Sequence, residues 1–283
     1  MVPTIELTQD QLKEIKTNIE DELEAWSIEH HKQDPRTHLG ISEIGDPCSR
    51  KLYYKFHWVA FEEHSGRMLR LFNRGHREEE RYVSYLEALG HKVCRFDENG
   101  KQFRVSGVMG HYGGSCDGVI ILRQHPNIPF IAEFKTHNTK SFINYADNGL
   151  IKSKPKHYDQ MCGYGFKMQI QYGLYFPENK NDDDIQVTAI KLDWQRGAEL
   201  ERKAEEIIKA KQPPQRISDN PSFFECKYCT FIDICHHEAL PIKNCRSCRM
   251  SEAVEGANWY CHVHKENIPP EFIAKGCDKW API

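Results

Sequence analysis

The sequence predicts an α/β fold, in which a mixed central sheet is flanked by helices, with a helical extension before it and a small cysteine-rich module after it. Three observations lead to this prediction. Helix-like and strand-like patterns alternate through the middle of the chain, as they do in α/β proteins. An amphipathic stretch precedes that region. Beyond Pro213 the regular periodicity fades and cysteines dominate.

The first predicted element is an amphipathic helix over residues 8–33, where Thr8 and Gln11 can form a capping box at the start. We expect its apolar stripe to pack against the protein, and we see no chemistry in it. The stripe consists of Leu12, Ile15, Ile19, Leu23 and Trp26. The other predicted elements are helices over residues 65–90, 156–171 and 195–211 and strands over residues 103–108, 115–122, 130–136, 172–176 and 185–192.

The length of 283 residues fits one domain and a small accessory module. We divide it into an N-terminal extension (1–40), an α/β domain (41–240) and a cysteine-rich module (241–283). No apolar run approaches the ~20 residues of a membrane helix and no signal peptide is recognisable, so we expect a soluble, cytoplasmic protein. The net charge of −3 gives no overall sign of nucleic-acid binding, although a local basic groove would suffice.

The main catalytic signal is Asp117 followed by Glu133 and Lys135. Residues two apart in a strand share a face, so Glu133 and Lys135 project together while Phe134 points into the core. If the strands over 115–122 and 130–136 are neighbours, Asp117 reaches the same pocket. Two carboxylates can then hold Mg²⁺ or Mn²⁺, and the lysine can stabilise a charged phosphorane. The alternative is a salt bridge at a surface strand edge.

Three further residues strengthen this hypothesis. His76 lies on the apolar side of its helix, with Glu79 and Glu80 following, so it is either a satisfied core residue or faces a site. Gln160 and Tyr164 are four residues apart and share a helix face. That face suits contacts to a DNA backbone or to the lysine.

In order and spacing, these residues resemble the RecB-type branch of the PD-(D/E)XK nucleases. The resemblance implies a restriction-endonuclease-like core and a Mg²⁺- or Mn²⁺-dependent deoxyribonuclease, more often an exonuclease than an endonuclease. It also implies DNA as the substrate and a role in recombination, repair or phage DNA processing, with a recombination or replication protein as a further partner and no membrane. For a viral protein the compartment would be the host cytoplasm.

The resemblance also assigns roles within the site. His76, Asp117 and Glu133 correspond to the metal ligands, together with the backbone carbonyl of Phe134. Lys135 corresponds to the catalytic lysine, and Gln160 with Tyr164 to the final motif. Cys116 stands where the signature of the class has proline, a frequent departure.

A first cysteine cluster follows the predicted core. Three cysteines spaced C-x2-C-x5-C indicate a metal or iron–sulfur site that lacks one ligand. One cysteine before the core and three after it resemble the iron–sulfur nucleases such as AddB, which implies a structural 4Fe–4S cluster. Its ligands would be Cys48, Cys226, Cys229 and Cys235. The alternative is zinc, with His236 or His237 as a ligand.

A second cluster begins with another CxxC motif and indicates a tetrahedral Zn²⁺ site, which would give a module of about 40 residues a reason to fold. The favoured ligands are Cys245, Cys248, Cys261 and Cys277. His262 and His264 compete with the last of them. Similar tails occur on phage-encoded RecB-like nucleases. The isolated Cys94, Cys116 and Cys162 are expected to be small buried residues.

Basic residues mark a candidate DNA-binding surface. Four lysines lie between residues 140 and 156, where the predicted strand over 130–136 leads into the helix over 156–171, and two cations follow Cys48. They are Lys140, Lys152, Lys154 and Lys156, with Arg50 and Lys51. The alternative is a solvated loop with ordinary surface charges.

Two other interpretations of the whole chain remain open. One is a nucleic-acid-binding protein that keeps the scaffold and both clusters but is catalytically inactive. The other is a structural metalloprotein, which would make His76, Gln160 and Tyr164 coincidences.

Overall fold

A computed structural model describes residues 6–98 and 100–283 and shows a mixed α/β architecture, as predicted. The helices are α1 (Gln9–His31), α2 (Ser49–Phe56), α3 (Gly66–Ala88), α4 (Thr139–Ser153), α5 (Pro155–Met168), α6 (Trp194–Lys209), α7 (Phe224–Lys227), α8 (Ile232–His236) and α9 (Pro270–Ile273). The strands are β1 (Leu39–Gly40), β2 (Lys92–Cys94), β3 (Arg104–Gly107), β4 (Tyr112–Ser115), β5 (Gly118–Ile121), β6 (Pro129–His137), β7 (Tyr172–Asn179), β8 (Asp184–Ile185), β9 (Thr188–Lys191), β10 (Ser251–Val254), β11 (Asn258–Cys261) and β12 (Glu266–Asn267).

The main sheet has the order β2-β5-β6-β7-β8, and β9 also pairs with β7. Strand β5 runs antiparallel to β6, whereas β6 and β7 are parallel, with Glu133 opposite Tyr175. The expected mixed sheet is therefore present, and the two strands predicted to be neighbours do pair. Helix α3 packs on one face through Tyr82, which stacks on Phe134. Helix α5 covers the other face.

The predicted strand over residues 115–122 is broken in two. Strand β4 belongs to a second sheet of order β1-β4-β3, and β5 belongs to the main sheet. Cys116 and Asp117 lie at the break, so Asp117 sits where the two sheets meet. Close packing explains why β4 needs glycine, because a Cβ at Gly114 would lie 2.6 Å from the hydroxyl oxygen of Tyr164.

Helix α4 was not predicted. The basic segment, for which a solvated loop was the alternative, forms this helix, and the side chain of its N-cap residue Asn138 accepts the backbone N–H of Ser141. Phe142 and Leu150 are buried on one side of α4. Gly149 has a φ of 72° and interrupts the helix, so the apolar residues before and after it do not keep one helical spacing. In residues 6–98 and 100–283, no helix has the length and apolar character needed to cross a membrane.

Helix α1 forms with the predicted capping box, but its predicted packing is wrong. Leu12 remains 45% exposed and Trp26 51% exposed. The helix is held to α3 by polar contacts instead. Glu24 accepts the N–H of Gly66 at 2.6 Å, and Arg70 donates to the Ser27 hydroxyl at 2.8 Å. Periodicity therefore predicted the helix and not what its apolar stripe would meet.

The cysteine-rich module forms a small sheet, β10-β11-β12. Trp259 of this sheet is buried in the same cluster as Phe56 of the main domain, and their ring centroids are 5.3 Å apart. Two buried histidines join the module to the domain. His57 donates from Nδ1 to the carbonyl of Arg246 at 2.6 Å, and His111 donates from Nε2 to that of Asn258 at 3.0 Å.

The three isolated cysteines do not take part in either cluster. Cys116 and Cys162 are buried, as predicted, whereas Cys94 in β2 is half-buried.

Candidate active site

Asp117 and Glu133 meet because of the break between the sheets. Asp117 accepts the backbone N–H of Phe134 through Oδ2 at 3.0 Å, so its carboxylate is tied to β6. Glu133, in the middle of β6, is fully buried. Phe134 points the opposite way and packs on Phe176, with centroids 4.9 Å apart. The predicted alternation along β6 is confirmed.

Lys135 lies between the two carboxylates. Its Nζ forms an ion pair with Glu133 and lies 3.6 Å from Oδ2 of Asp117. It also donates to the carbonyl of Phe134 at 3.1 Å. The pair of acids and the lysine therefore form one compact cluster at the junction of the sheets.

The electrostatics of this cluster favour added positive charge. Burial raises the pKa of Glu133 to about 8; Lys135 counteracts this rise and Asp117 adds to it. Burial lowers the pKa of Lys135, but the carboxylates of Asp117 and Glu133 outweigh it and hold that pKa above its usual range. Lys135 therefore stays protonated, and the burial of Glu133 outweighs the effect of Lys135 on its pKa.

Gln160 and Tyr164 both reach the site from α5, but neither touches Lys135. Gln160 donates from Nε2 to Glu133 Oε2 at 2.8 Å. Tyr164 donates from its hydroxyl to the carbonyl of Ser115 at 2.7 Å, next to the turn that carries Asp117. Both side chains are almost fully buried. Gln160 therefore positions the Glu133 carboxylate, and Tyr164 holds the turn before Asp117; neither side chain faces solvent.

His76 lies at the rim, with its side chain 63% exposed. Its Nδ1 is 3.6 Å from Oε1 of Glu79. The interaction with Glu79 raises the pKa of His76, while partial burial lowers it. Asp117 adds a smaller rise and Lys135 a smaller fall.

Glu79 is a site residue that the sequence interpretation left out. Its side chain is only 19% exposed, and its charge adds to the rise in the pKa of Glu133. Its position one helical turn after His76 was the available signal.

A buried polar chain beyond Lys135 was also missed. The Tyr175 hydroxyl lies 2.8 Å from Nε2 of His137 and 2.8 Å from Nδ1 of His157. Burial and then nearby lysines lower the pKa of His137 to about 4, and burial and then Lys135 lower the pKa of His157 to about 3. Both rings are neutral near pH 7. No sequence motif relates these three residues, because they come from β6, β7 and α5.

The donor set at the junction suits a hard divalent cation. Asp117 and Glu133 offer carboxylate oxygens, and Phe134 offers a carbonyl oxygen, which are the ligand types that Mg²⁺ takes. The raised pKa of Glu133 fits such a site, because a bound cation would favour its ionised form. Across the described residues, no three His, Cys, Asp or Glu side chains form a metal-holding group. This holds for His76 with the two carboxylates and for both sets of cysteines.

The first set of cysteines comes together around one small cavity. Cys48 begins α2, and its Sγ accepts the N–H of Lys51 at 3.4 Å. The cavity is lined by Cys48, Cys226, Cys229 and Cys235, and also by His236. Burial, followed by the charges of Cys48 and Cys235, raises the pKa of Cys226. Cys48, distant in sequence, thus lines the same cavity as the three cysteines of the C-x2-C-x5-C motif.

In the second set, burial raises the pKa of Cys245, and the other three cysteines add to this rise. Those three are Cys277, Cys248 and Cys261. Of the two competing histidines, His262 lies 3.3 Å from Glu252 and His264 is exposed.

The candidate DNA-binding cations divide into paired and exposed residues. Lys51 and Lys156 both bind Oδ2 of Asp46, at 3.0 and 2.9 Å. Arg50 donates to the carbonyl of Pro214 at 3.1 Å. Lys154 donates to the Ser141 hydroxyl. Lys140 and Lys152 are exposed.

Comparison with known proteins gives structural neighbours but no sequence relatives. No family model matches the chain, and no curated protein matches it significantly. A solved structure named SSO0001 is 18% identical, with a TM-score of 0.45, covering 77% of this chain and 96% of that chain. The alkaline exonuclease LHK-Exo from Laribacter hongkongensis is 18% identical, with a TM-score of 0.41, covering 66% and 90%. A phage-related exonuclease from Haemophilus somnus 129PT is 14% identical, with a TM-score of 0.41, covering 64% and 94%. Because these likenesses are distant, function must be inferred from the residues of the chain itself.

Proposed function

We propose that this chain is a divalent-metal-dependent deoxyribonuclease with a restriction-endonuclease-like core, in the RecB-like branch of the PD-(D/E)XK class. An exonuclease acting in DNA recombination, repair or phage DNA processing fits the residue pattern best. The observation that carries the proposal is the cluster of Asp117, Glu133 and Lys135 at the junction of the sheets, in which the ammonium lies between two carboxylates.

The surrounding contacts support this function by fixing the carboxylates before substrate arrives. Gln160 holds one oxygen of Glu133, and the N–H of Phe134 holds one oxygen of Asp117. The cation held by these oxygens would be Mg²⁺ or Mn²⁺, with His76 at the rim as a further ligand, and it would polarise the phosphodiester and acidify a water molecule. Fixed donors of this kind need no reorganisation when charge develops in the transition state.

Lys135 would act as a hydrogen-bond donor and not as a base. Its raised pKa keeps it protonated through the physiological range. An ammonium can donate to a non-bridging phosphate oxygen or orient the attacking water. Its contacts to Glu133 and to the carbonyl of Phe134 keep it within reach of the reacting atoms.

We also propose two structural metal groups. The cavity lined by Cys48, Cys226, Cys229 and Cys235 would hold a 4Fe–4S cluster, which joins the start of the α/β domain to its end. The CxxC spacing of Cys245 and Cys248, together with the effect of Cys248, Cys261 and Cys277 on the pKa of Cys245, supports Zn²⁺ in the C-terminal module. Brown protein with iron, sulfide and zinc after anaerobic purification is expected, and a colourless protein with zinc alone would reject the cluster.

The test is cleavage of end-labelled single- and double-stranded DNA with Mg²⁺ or Mn²⁺. We expect wild-type protein to release short products and Asp117→Ala to lose about 10²-fold or more of the rate, because the cation loses a carboxylate. Asp147→Ala, which changes an acid on α4, is the matched control and should remain active. Wild-type protein that binds DNA but cuts no substrate with either metal would favour the inactive nucleic-acid-binding alternative.

A further inference from the structure

Two aromatic side chains beside the first cysteine set are almost fully exposed. Phe224 is 77% exposed and Tyr228 is 80% exposed. Among the other large apolar side chains in residues 6–98 and 100–283, Leu240 is 75% exposed and the rest are at most 57% exposed. Exposing an aromatic ring to water forgoes a favourable burial of apolar area, so such a pair points to a binding surface.

The cysteine cavity does not explain this exposure. Phe224 is the first residue of α7, and Tyr228 directly follows its last residue. The buried Cys226 lies between them in the sequence. Neither ring lines the cavity that the four thiols surround. A cluster bound in the cavity would therefore leave both rings in solvent.

Cations lie close to these rings. The Nζ of Lys227 is 5.2 Å from the centre of the Tyr228 ring. Arg50, Lys51 and Arg216 line the adjacent cavity with one carboxylate, Glu225. Aromatic faces beside an excess of cations are the combination that binds a single-stranded nucleic acid, since bases stack on the rings and phosphates meet the cations.

Asp46 and helix α5 link the cysteine cavity beside these rings to the catalytic cluster. Lys51, which lines the cysteine cavity, shares Oδ2 of Asp46 with Lys156 of α5. One turn further along α5, Gln160 binds Glu133. Two lysines, Lys51 and Lys156, thus lie between the cavity beside the rings and the helical turn that carries Gln160.

We propose that Phe224 and Tyr228 form a stacking surface for unpaired bases of a DNA strand that runs to the active site. This inference rests on the proposed nuclease function and adds a substrate class to it, namely single-stranded DNA or a frayed end. A duplex would not use the surface, because its base faces are already stacked on each other. Each stacked base should strengthen binding by about 5- to 150-fold.

The test measures binding without turnover. The fluorescence anisotropy of labelled (dT)20 and of an abasic oligonucleotide of the same length is recorded with the complete protein in Ca²⁺. A gel confirms that each oligonucleotide is intact. We expect Phe224→Ala and Tyr228→Ala to weaken binding of (dT)20 at least about 5-fold, and of the abasic chain less than about 2-fold. Tyr228→Phe keeps the ring and should bind normally. Leu240→Ala is the matched control for loss of exposed apolar area.

Two results would overturn the proposal. Equal losses on both oligonucleotides would show that the rings do not bind bases, and unchanged binding in both alanine variants would leave the surface to another partner, such as a protein. Equal iron and zinc content and equal melting temperature across the variants separate these results from misfolding. The binding assay also separates the two proposals. If the wild-type protein binds bases through the rings but does not cleave DNA, only the nuclease proposal is rejected. If the wild-type protein cleaves DNA but both alanine variants bind (dT)20 normally, only the stacking surface is rejected.

Discussion

Lys135, whose side chain is 28% exposed, and the buried Arg246 show how differently two regions of the molecule surround a positive charge. Lys135 is surrounded by carboxylates, which hold its pKa above the usual range in spite of burial. Arg246 is 1% exposed and lies against the rings of Phe56, Trp58 and Trp259, at 4.7, 4.3 and 4.9 Å. Burial lowers its pKa to about 9.

The partners of the two cations explain the difference. Arg246 donates to the carbonyls of Thr37 and Phe56, so its hydrogen bonds go to fixed backbone groups. None of the ion pairs found in the described residues includes Arg246. The buried Nε of Arg246 has no hydrogen-bond partner, whereas Lys135 lies between two carboxylates. Carboxylates that could share a divalent cation, rather than burial, therefore distinguish Lys135 from Arg246.

The largest effect should come from removing the ammonium of Lys135, the proposed catalytic lysine. Lys135→Met should lower kcat by about 10²- to 10³-fold, because the transition state loses a preorganised donor. The melting temperature should change little, since Glu133 can take up a proton when its neighbour is neutral. Steady-state cleavage kinetics and calorimetry measure the two quantities. A stable variant with near-normal kcat would remove Lys135 from the chemistry.

The corresponding change at the second cation is Arg246→Met. The long apolar side chain can still pack on the three rings, but the carbonyls of Thr37 and Phe56 lose their donor. We expect a loss of about 2–4 kcal/mol in the free energy of unfolding, from buried polar groups left unsatisfied. Urea unfolding measures it. In protein that remains folded kcat should be unchanged, and a large fall in kcat there would contradict the division between the two cations.

The charge balance also predicts a pH dependence. The pKa of Glu133 is raised to about 8, so a proton competes with the divalent cation below that pH. At metal concentrations far below saturation, the cleavage rate should rise by up to about tenfold per pH unit from about pH 6 and level off near pH 8. Saturating metal should flatten the profile. A flat profile at low metal would contradict it.

The same shift fixes the sign for stability. Without divalent metal, the folded chain keeps the Glu133 proton that the unfolded chain releases above about pH 4.5. The contribution of Glu133 to stability should therefore decline as the pH rises from about 4.5 to about 8. Comparison of the wild type with Glu133→Gln, which cannot ionise, isolates this contribution in urea unfolding at several pH values.

The smallest effect should come from Tyr164→Phe. The ring stays buried and only the hydrogen bond to the carbonyl of Ser115 is lost. We expect about 1 kcal/mol of destabilisation and a modest fall in kcat, because the turn carrying Asp117 is held less firmly. Tyr145→Phe, which loses a hydroxyl contact to Thr188 away from this turn, is the control. Equal kinetic effects of the two changes would argue against a positioning role for Tyr164.

The sequence by itself determined the local part of the site. The alternation of β6 placed Glu133 and Lys135 on one face, and the helical spacing of α5 placed Gln160 and Tyr164 together. Both patterns are set by the backbone geometry of a single element, which a sequence contains in full. The capping box of α1 was readable for the same reason.

Tertiary structure alone decided which elements meet. It broke the predicted strand at Asp117, formed α4 in a basic segment and left the stripe of α1 exposed. It also brought Glu79 close enough to Glu133 to raise the pKa of that carboxyl, and it packed Arg246 against aromatic rings from distant segments. Each of these outcomes depends on contacts between residues far apart in the chain. The periodicity of one helix or strand predicts the direction of a side chain. Packing and charge balance across the whole fold decide which residues that side chain contacts.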